Sequence, residues 1–164
     1  MADPDQIAFR HALGHFASGV GVMTTALEGR LHGMTVSAFS SLSLVPLLVL
    51  VCVEKLTVMH DMVSRSAVFS VNILGEADEG LARFFADNQR LAVPEFRPDT
   101  FHLGSTGCPI LERAIAWIEC RVHAVHDGGD HSIVVGRVVE LEVRGGQAPL
   151  VFYRGGYAGL RVSA

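Results

Sequence analysis

The chain has 164 residues, a length typical of one domain, and we interpret residues 1–164 as a single domain. The net charge of −4 gives no overall basic character of the kind that nucleic-acid binding favours, and the longest apolar run, residues 44–53, is shorter than the ~20 residues of a membrane span. Apolar residues make up 49% of the sequence and charged residues only 18%, which indicates a buried oligomer interface or a wide apolar pocket.

Helix and strand patterns alternate along the first half of the chain. Asp3 and Pro4 are suited to begin a helix, and Gly19 is suited to end it. After Gly19 the apolar residues recur with the period of two that is typical of strands. Strands are predicted over 20–27, 31–38, 47–53 and 67–74, helices over 57–64, capped by Thr57, and over 76–85, and a polar loop over 86–100. We expect the strand over 47–53 to be fully buried, because its apolar run is continuous.

The last third of the chain has the clearest strand pattern. Residues 114–125 are apolar at every even position, so the odd positions, which include Trp117 and Glu119, are expected to face outward. Residues 131–143 are apolar at most odd positions. A last strand is predicted over 150–153. About seven strands arranged in hairpins favour a closed or nearly closed antiparallel barrel. Small residues suit the narrow interior of such a barrel: Ala114, Ala116 and Gly136.

Most patterns of reactive residues are incomplete. His11 and His15 are four residues apart on a predicted helix but have no evident third metal ligand. The three cysteines are too far apart in sequence for a redox or zinc pair, which favours a cytoplasmic protein, and the acidic N-terminus has no apolar signal segment. Cys52 lies in the most apolar predicted strand, and we interpret it as a core residue.

Polar side chains are concentrated in residues 33–43, in a chain otherwise poor in them. Hydroxyls and backbone amides of such a segment are suited to bind a planar heteroaromatic ring that carries several acceptors, and the alternative is a serine-rich edge strand with its turn. Downstream, Lys55 and Thr57 precede a predicted helix and form a candidate anion site. The hydroxyl residues of the segment are Thr35, Ser37, Ser40, Ser41 and Ser43.

Six stretches, in this order and over nearly the whole chain, resemble the short-chain flavin reductases. These are the reductase partners of two-component flavin-dependent monooxygenases, typified by the 4-hydroxyphenylacetate 3-monooxygenase reductase. The resemblance implies a split antiparallel β-barrel of the Greek-key, FMN-binding type with a few short helices. It also implies a homodimer that passes hydride from NADH or NADPH to FMN or FAD and supplies reduced flavin to a partner oxygenase. The stretches are Phe16–Val20, Gly33–Pro46, Phe69–Ile73, Gly107–Pro109, Gly129–Val138 and Pro149–Tyr157.

The same resemblance implies roles for individual residues. His131 would lie beside the nicotinamide and is the candidate catalytic residue. The candidate cofactor-binding residues line the ring edge, hold the ribityl phosphate or border the flavin: Thr35, Val36, Ser37, Ala38, Ser43, Lys55, Thr57, Phe85, Ala86 and Tyr157. Glu54 departs from the family pattern, because it would repel a phosphate if it pointed inward. The choices between FMN and FAD and between NADH and NADPH stay open, and the alternative function is a non-catalytic flavin- or haem-binding carrier or sensor.

Overall fold

The computed structural model describes residues 5–88 and 96–161, which form mainly β-strands. Within these residues no helix combines the length and the apolar character needed to cross a bilayer. The helices are α1 (Gln6–Leu13), α2 (Val58–Ser66) and α3 (Glu79–Ala86), and a 3₁₀ turn, Glu76–Asp78, precedes α3. The strands are β1 (Ser18–Gly19), β2 (Gly21–Leu27), β3 (Arg30–Val36), β4 (Phe39–Leu44), β5 (Leu47–Glu54), β6 (Val68–Ile73), β7 (Phe101–Leu103), β8 (Pro109–Leu111), β9 (Ala116–Gly128), β10 (His131–Val143), β11 (Leu150–Tyr153) and β12 (Gly156–Gly159).

Seven strands form one antiparallel sheet in the order β3-β2-β6-β9-β10-β5-β4. Its two edge strands, β3 and β4, are joined by only two residues, Ser37 and Ala38. So short a connection spans at most about 10 Å, which forces the two edges together and curls the sheet into a barrel. Within the described sheet the two edges are not hydrogen-bonded neighbours, so the barrel is split at this connection. The predicted split antiparallel barrel is confirmed.

The barrel interior is filled by apolar side chains from the sheet and from α2. Gly136 leaves the space that the ring of Phe69 occupies, and a Cβ at this position would lie 2.8 Å from the Cβ of Cys120. The expected small interior residue at 136 is therefore required by packing. The buried members of this core are Met23, Val36, Val49, Val51, Val53, Met59, Val63, Phe69, Val71, Cys120 and Val134.

The N-terminal helix differs from its prediction. α1 begins after Asp5, whose carboxylate accepts a hydrogen bond of 2.7 Å from the backbone N–H of Ala8. Asp3 and Pro4 lie outside the described residues. The predicted end at Gly19 was wrong: the helix ends at Gly14, because the following chain turns to place β1 beside β11. α1 buries none of its residues, and its apolar side chains Ile7, Phe9 and Leu13 are exposed.

Two strands bury different faces from those predicted. β5 is not fully buried: residues 49, 51 and 53 are buried, and residues 48, 50 and 52 are half-buried. In β10 the predicted apolar face is largely exposed at Val139, Leu141 and Val143, whereas Ser132 and Val134 are buried. The cause is irregular pairing of β9 with β10, which shifts register between Val135 and Gly136 and again beyond Val138.

The outward face of β9 was also predicted wrongly. Trp117 and Glu119 occupy the positions expected to face outward, but their exposed fractions are 6% and 0%. The loop of the β7–β8 hairpin, residues 104–107, covers this face at Glu119, whose carboxylate it binds, and the Trp117 ring N–H donates to Glu142 of β10. A two-residue alternation does not reveal a strand that is covered on both faces.

Candidate functional site

A groove lies at the split of the barrel, beside the connection of Ser37 and Ala38. Three adjoining cavities of about 290, 240 and 220 Å³ make up this groove and share Met34, Glu54 and Thr57 as lining residues. Volumes of this order are at the lower end of those of small-molecule sites. We call this set of cavities the split groove.

Most of the predicted site residues meet in the split groove, although they come from distant parts of the chain. β3 and the following connection form one wall, the start of α2 another, and the ends of α3, β10 and β12 complete the site. The predicted residues that line the groove are Thr35, Val36, Ser37, Ala38, Thr57, Ala86, His131 and Tyr157.

The wall formed by β3 is supported by α3. The Thr35 hydroxyl donates a hydrogen bond of 2.6 Å to the carbonyl oxygen of Ala82, so its proton is directed at α3. A Cβ at Gly33 would lie 2.7 Å from the Phe85 ring, which therefore packs directly on the β3 backbone. Phe85 is 2% exposed and does not line the groove, so it supports the wall from behind.

Lys55 and Ser43 are not brought to the split groove. The Lys55 ammonium donates to the Asp127 carboxylate and, at 2.6 Å, to the carbonyl oxygen of Gly129. The hydrogen bond and the charge of Lys55 lower the pKa of Asp127 below its usual value. Ser43 lies towards the far end of β4, where it pairs with Leu48.

Glu54 takes the place in the groove that was expected for Lys55. Neighbouring residues of an extended chain point in opposite directions, so the two side chains do not face the same cavity. Glu54 lines all three cavities. Thr57 caps α2 by accepting a hydrogen bond of 3.2 Å from the His60 N–H, and its own hydroxyl donates to the Glu54 carbonyl oxygen at 2.7 Å.

His131 enters the groove at the first residue of β10, opposite Glu54 in the ladder with β5. Its Nδ1 lies 2.8 Å from Asp130 Oδ1. This hydrogen bond and the nearby imidazole lower the pKa of Asp130. Because Asp130 engages Nδ1, a ligand in the groove would meet the other ring nitrogen, Nε2.

Tyr157 closes the groove on the side of α3. Its ring contacts that of Phe152, with centroids 5.5 Å apart, and the guanidinium carbon of Arg83 lies 5.0 Å above it. Partial burial raises the pKa of the Tyr157 phenol, so the side chain is a neutral wall at physiological pH. Phe152 itself lines the groove and was missed by the sequence analysis.

The cysteines occupy two different environments. Cys52 is half-buried and lines the groove, so its interpretation as a core residue was wrong; the alternation of the buried valines along β5 was the signal that places it on the other face. Cys108 and Cys120 are buried, and burial raises their pKa values to about 11 and about 12. These two thiols therefore stay protonated and unreactive at neutral pH.

A larger hollow of about 610 Å³ adjoins the groove and shares Ser37, Ala38 and Cys52 with it. It lies between α1 and the outer face of β4 and β5. Its apolar lining residues are Phe9, Leu13, Phe16, Phe39, Leu50 and Phe152.

The model of the family described as the flavin reductase like domain matches residues 13–161. This chain belongs to the flavin reductase-like domain family. A flavin reductase of Pseudomonas putida is 37% identical over 152 residues, covering 92% of this chain and 88% of the relative. The 4-hydroxyphenylacetate 3-monooxygenase reductase component of Thermus thermophilus is 37% identical over 152 residues, covering 92% and 93%.

Solved structures of the family agree with this assignment. The Streptomyces globisporus C-1027 NADH:FAD oxidoreductase, solved in complex with NAD and FAD fragments, superposes with a TM-score of 0.92. The two chains are 34% identical, and the match covers 100% of this chain and 98% of the other. The resemblance to flavin reductases predicted from the sequence is confirmed.

Proposed function

We propose that this protein is an NADH-dependent flavin reductase that supplies reduced flavin to a partner monooxygenase. The observation that carries the proposal is the split groove, where a member of the flavin reductase-like family brings eight predicted flavin-site and nicotinamide-site residues together. The names of its relatives support the choice of nicotinamide, flavin and oxygenase as partners.

The donor set of the groove fits an isoalloxazine ring. The walls combine the apolar side chains of Met34, Phe152 and Tyr157 with the backbone of residues 35–38 and the Ser37 hydroxyl. Apolar walls cover the faces of a planar ring, while backbone amides and hydroxyls meet the acceptors on its edge. The lining is therefore suited to an uncharged heteroaromatic ring.

A bound flavin supplies the ring that accepts hydride from reduced nicotinamide, so the protein needs no obligatory acid or base for the transfer itself. The contribution of the chain is orientation and the exclusion of water. We assign the backbone of residues 35–38 to the ring edge, and Ala86 and Tyr157 to the borders of the site. His131 is assigned to the nicotinamide, whose amide its Nε2 would orient.

The expected result for the purified protein is flavin-dependent oxidation of NADH with many turnovers per protein molecule. The measurement is the loss of NADH absorbance with excess FAD or FMN, against a reaction without added flavin. A non-catalytic carrier or sensor would instead retain its ligand after desalting and show negligible turnover. That outcome would reject the reductase proposal.

Replacing His131 by alanine is expected to lower kcat/KM for NADH by about tenfold, while the Kd for flavin changes less than about twofold. The reason is that His131 lies at the end of the groove next to β10 and is assigned to nicotinamide, not to the ring edge. The measurement combines steady-state kinetics with flavin fluorescence titration. His126→Ala, an exposed substitution in the same hairpin, is the control and is expected to change neither value. Equal losses in both variants would contradict the assignment.

We further propose that residues 1–164 form a single domain and that two copies form a homodimer. The support for the dimer is the set of exposed apolar side chains on and after α1 and at the tip of the β4–β5 hairpin, since such patches mark interfaces. Phe16 is 79%, Leu44 82% and Val45 92% exposed. The three free cysteines support a cytoplasmic location. A monomeric mass in sedimentation equilibrium at micromolar concentration would exclude the dimer.

A further inference from the structure

Lys55 is the one lysine in the 164-residue sequence. It directly follows β5, and it binds residues 127–130, which we call the hairpin turn because they connect β9 to β10. The backbone N–H of Lys55 donates to the carbonyl oxygen of Asp130 at 3.0 Å. Its ammonium donates to the carbonyl oxygen of Gly129 at 2.6 Å and to the Asp127 carboxylate. One residue outside the hairpin therefore holds the turn at three positions.

The hairpin turn has little burial to hold it in place. Residues 125–130 are all exposed, and Gly129 has a left-handed φ of +80°. A turn of exposed residues is fixed mainly by its hydrogen bonds, because it makes few buried apolar contacts. The Lys55 side chain is 37% exposed, so its charge is partly shielded from water and its charge-assisted hydrogen bonds are strengthened. We expect the turn to shift when this ammonium is removed.

The hairpin turn leads directly into His131, the residue assigned to the nicotinamide. His131 is the first residue of β10 and lines the groove, and its Nδ1 lies 2.8 Å from Asp130 Oδ1. The hydrogen bond and the charge of His131 lower the pKa of Asp130, and the charge of Lys55 adds a smaller effect in the same direction. Lys55 therefore holds the backbone of the residue whose carboxylate orients the His131 ring.

We propose that Lys55 is a positioning residue for the nicotinamide: by holding the hairpin turn it places the His131 ring, and it does not bind the flavin phosphate. This inference rests on the proposed function and extends it to a residue that acts through His131. A small displacement of an orienting group lowers the rate of transfer, even where the binding of the other ligand is unaffected. Phosphate binding, the role that the family resemblance implies for Lys55, would need the ammonium to face the ligand. Here two of its three donors are directed at the turn.

The first test compares Lys55→Met with the native protein in steady-state NADH oxidation and in flavin titrations. Methionine keeps an unbranched side chain but has no charge and no N–H donor. We expect kcat/KM for NADH to fall about fivefold, the upper range for one partly exposed ion pair, while the Kd values of riboflavin, FMN and FAD each change less than about twofold. Arg65→Met is the control: it removes an exposed ion pair with Asp61 on α2, and neither quantity should change.

The same substitution in the His131→Ala background shows whether Lys55 acts through His131. There, Lys55→Met is expected to change kcat/KM for NADH by less than about twofold, because the ring that Lys55 places is absent. A residue that only stabilised the fold would lower kcat/KM equally in both backgrounds.

The single lysine permits a second measurement, made on the folded native protein. Acetylation removes the charge of Lys55 without requiring a variant to fold. We expect acetylation to lower kcat/KM for NADH about as much as Lys55→Met does. The same treatment of Lys55→Met controls for acetylation of other groups and is expected to have no further effect.

Three results would overturn the inference. A loss of affinity confined to FMN and FAD, with riboflavin unchanged, would show that Lys55 binds the phosphate. An unchanged kcat/KM in Lys55→Met, or an equal fall with and without the His131 ring, would separate Lys55 from His131. All three leave the reductase proposal standing, since the native protein still oxidises NADH with added flavin. Absence of that oxidation in the native protein would reject the proposed function, and this inference with it.

Discussion

Replacing Glu119 by glutamine is expected to lower the free energy of unfolding by about 2–4 kcal/mol. The reason is that buried donors that now bond to the carboxylate would lose their acceptor. Glu119 is fully buried in β9. Its carboxylate accepts from the N–H and hydroxyl of Ser105, at 2.9 and 3.0 Å, and from the N–H of Thr106 at 3.0 Å, as well as from the Thr106 hydroxyl. A glutamine amide has one acceptor oxygen and turns its NH₂ group towards donors.

The environment of Glu119 gives the chain little room to adapt. A Cβ at Gly104 would lie within the carboxylate, and the buried Cys108 and Cys120 flank the site as neutral thiols because burial raises their pKa values to about 11 and about 12. The measurement is urea unfolding followed by two spectroscopic probes. Glu112→Gln is the matched control: that carboxylate is 46% exposed and bound to His102, so a change below about 1 kcal/mol is expected. Equal losses of unfolding free energy in Glu119→Gln and Glu112→Gln would show that the buried hydrogen bonds of Glu119 add nothing to stability.

The barrel was predictable because local patterns and chain connectivity agree. Alternation of apolar residues marks β2, β3 and β6, and the short turn between β2 and β3 fixes their antiparallel pairing. The number of strands and their arrangement in hairpins favour a barrel, but no residue pattern shows where the sheet closes. The place of closure follows from the two-residue link between the edge strands, which becomes apparent only when the strand order is known. The family resemblance implies that order.

The face of a strand that is buried was harder to predict. The alternation of apolar residues assigns Trp117 and Glu119 to the solvent side of β9. Instead, a distant hairpin binds the Glu119 carboxylate, and the Trp117 ring N–H donates to Glu142 of β10. A carboxylate is expected in the interior only when donors meet it, and those donors are nearly fifteen residues away in sequence. Such contacts between segments distant in sequence carry no periodic signal.

The sequence predicts which segments of the chain line the groove. It does not predict which side chains of those segments point into it. Residues 35–38, which the resemblance implies for the flavin ring edge, line the groove, because their position follows from the link between β3 and β4. The resemblance does not decide whether the side chain of Glu54 or that of Lys55 points into the groove. A shift of one position along an extended strand reverses the side that each residue faces. The register of β5 with β10, which pairs Glu54 with His131, makes that decision.

Replacing Ser37 by tryptophan is expected to weaken FAD binding by about a hundredfold, equivalent to ~2.7 kcal/mol. Ser37 lies where the cavities of about 610, 290 and 240 Å³ meet, so an indole at this position would occupy the volume assigned to the flavin ring. Because Ser37 is exposed, the free energy of unfolding is expected to change by less than about 0.5 kcal/mol. The measurements are fluorescence titration with FAD and urea unfolding.

Ser41→Trp is the matched control for filling the groove with an indole at position 37. Ser41 is exposed on β4, four residues further along the chain, and does not line the cavities that adjoin Ser37. The same indole there adds the same apolar surface without filling the groove, so FAD affinity is expected to stay within about twofold of that of the native protein. Unchanged affinity in Ser37→Trp would move the flavin site away from the split of the barrel. Loss of affinity in Ser37→Trp alone locates the flavin ring beside the connection that joins the two edge strands.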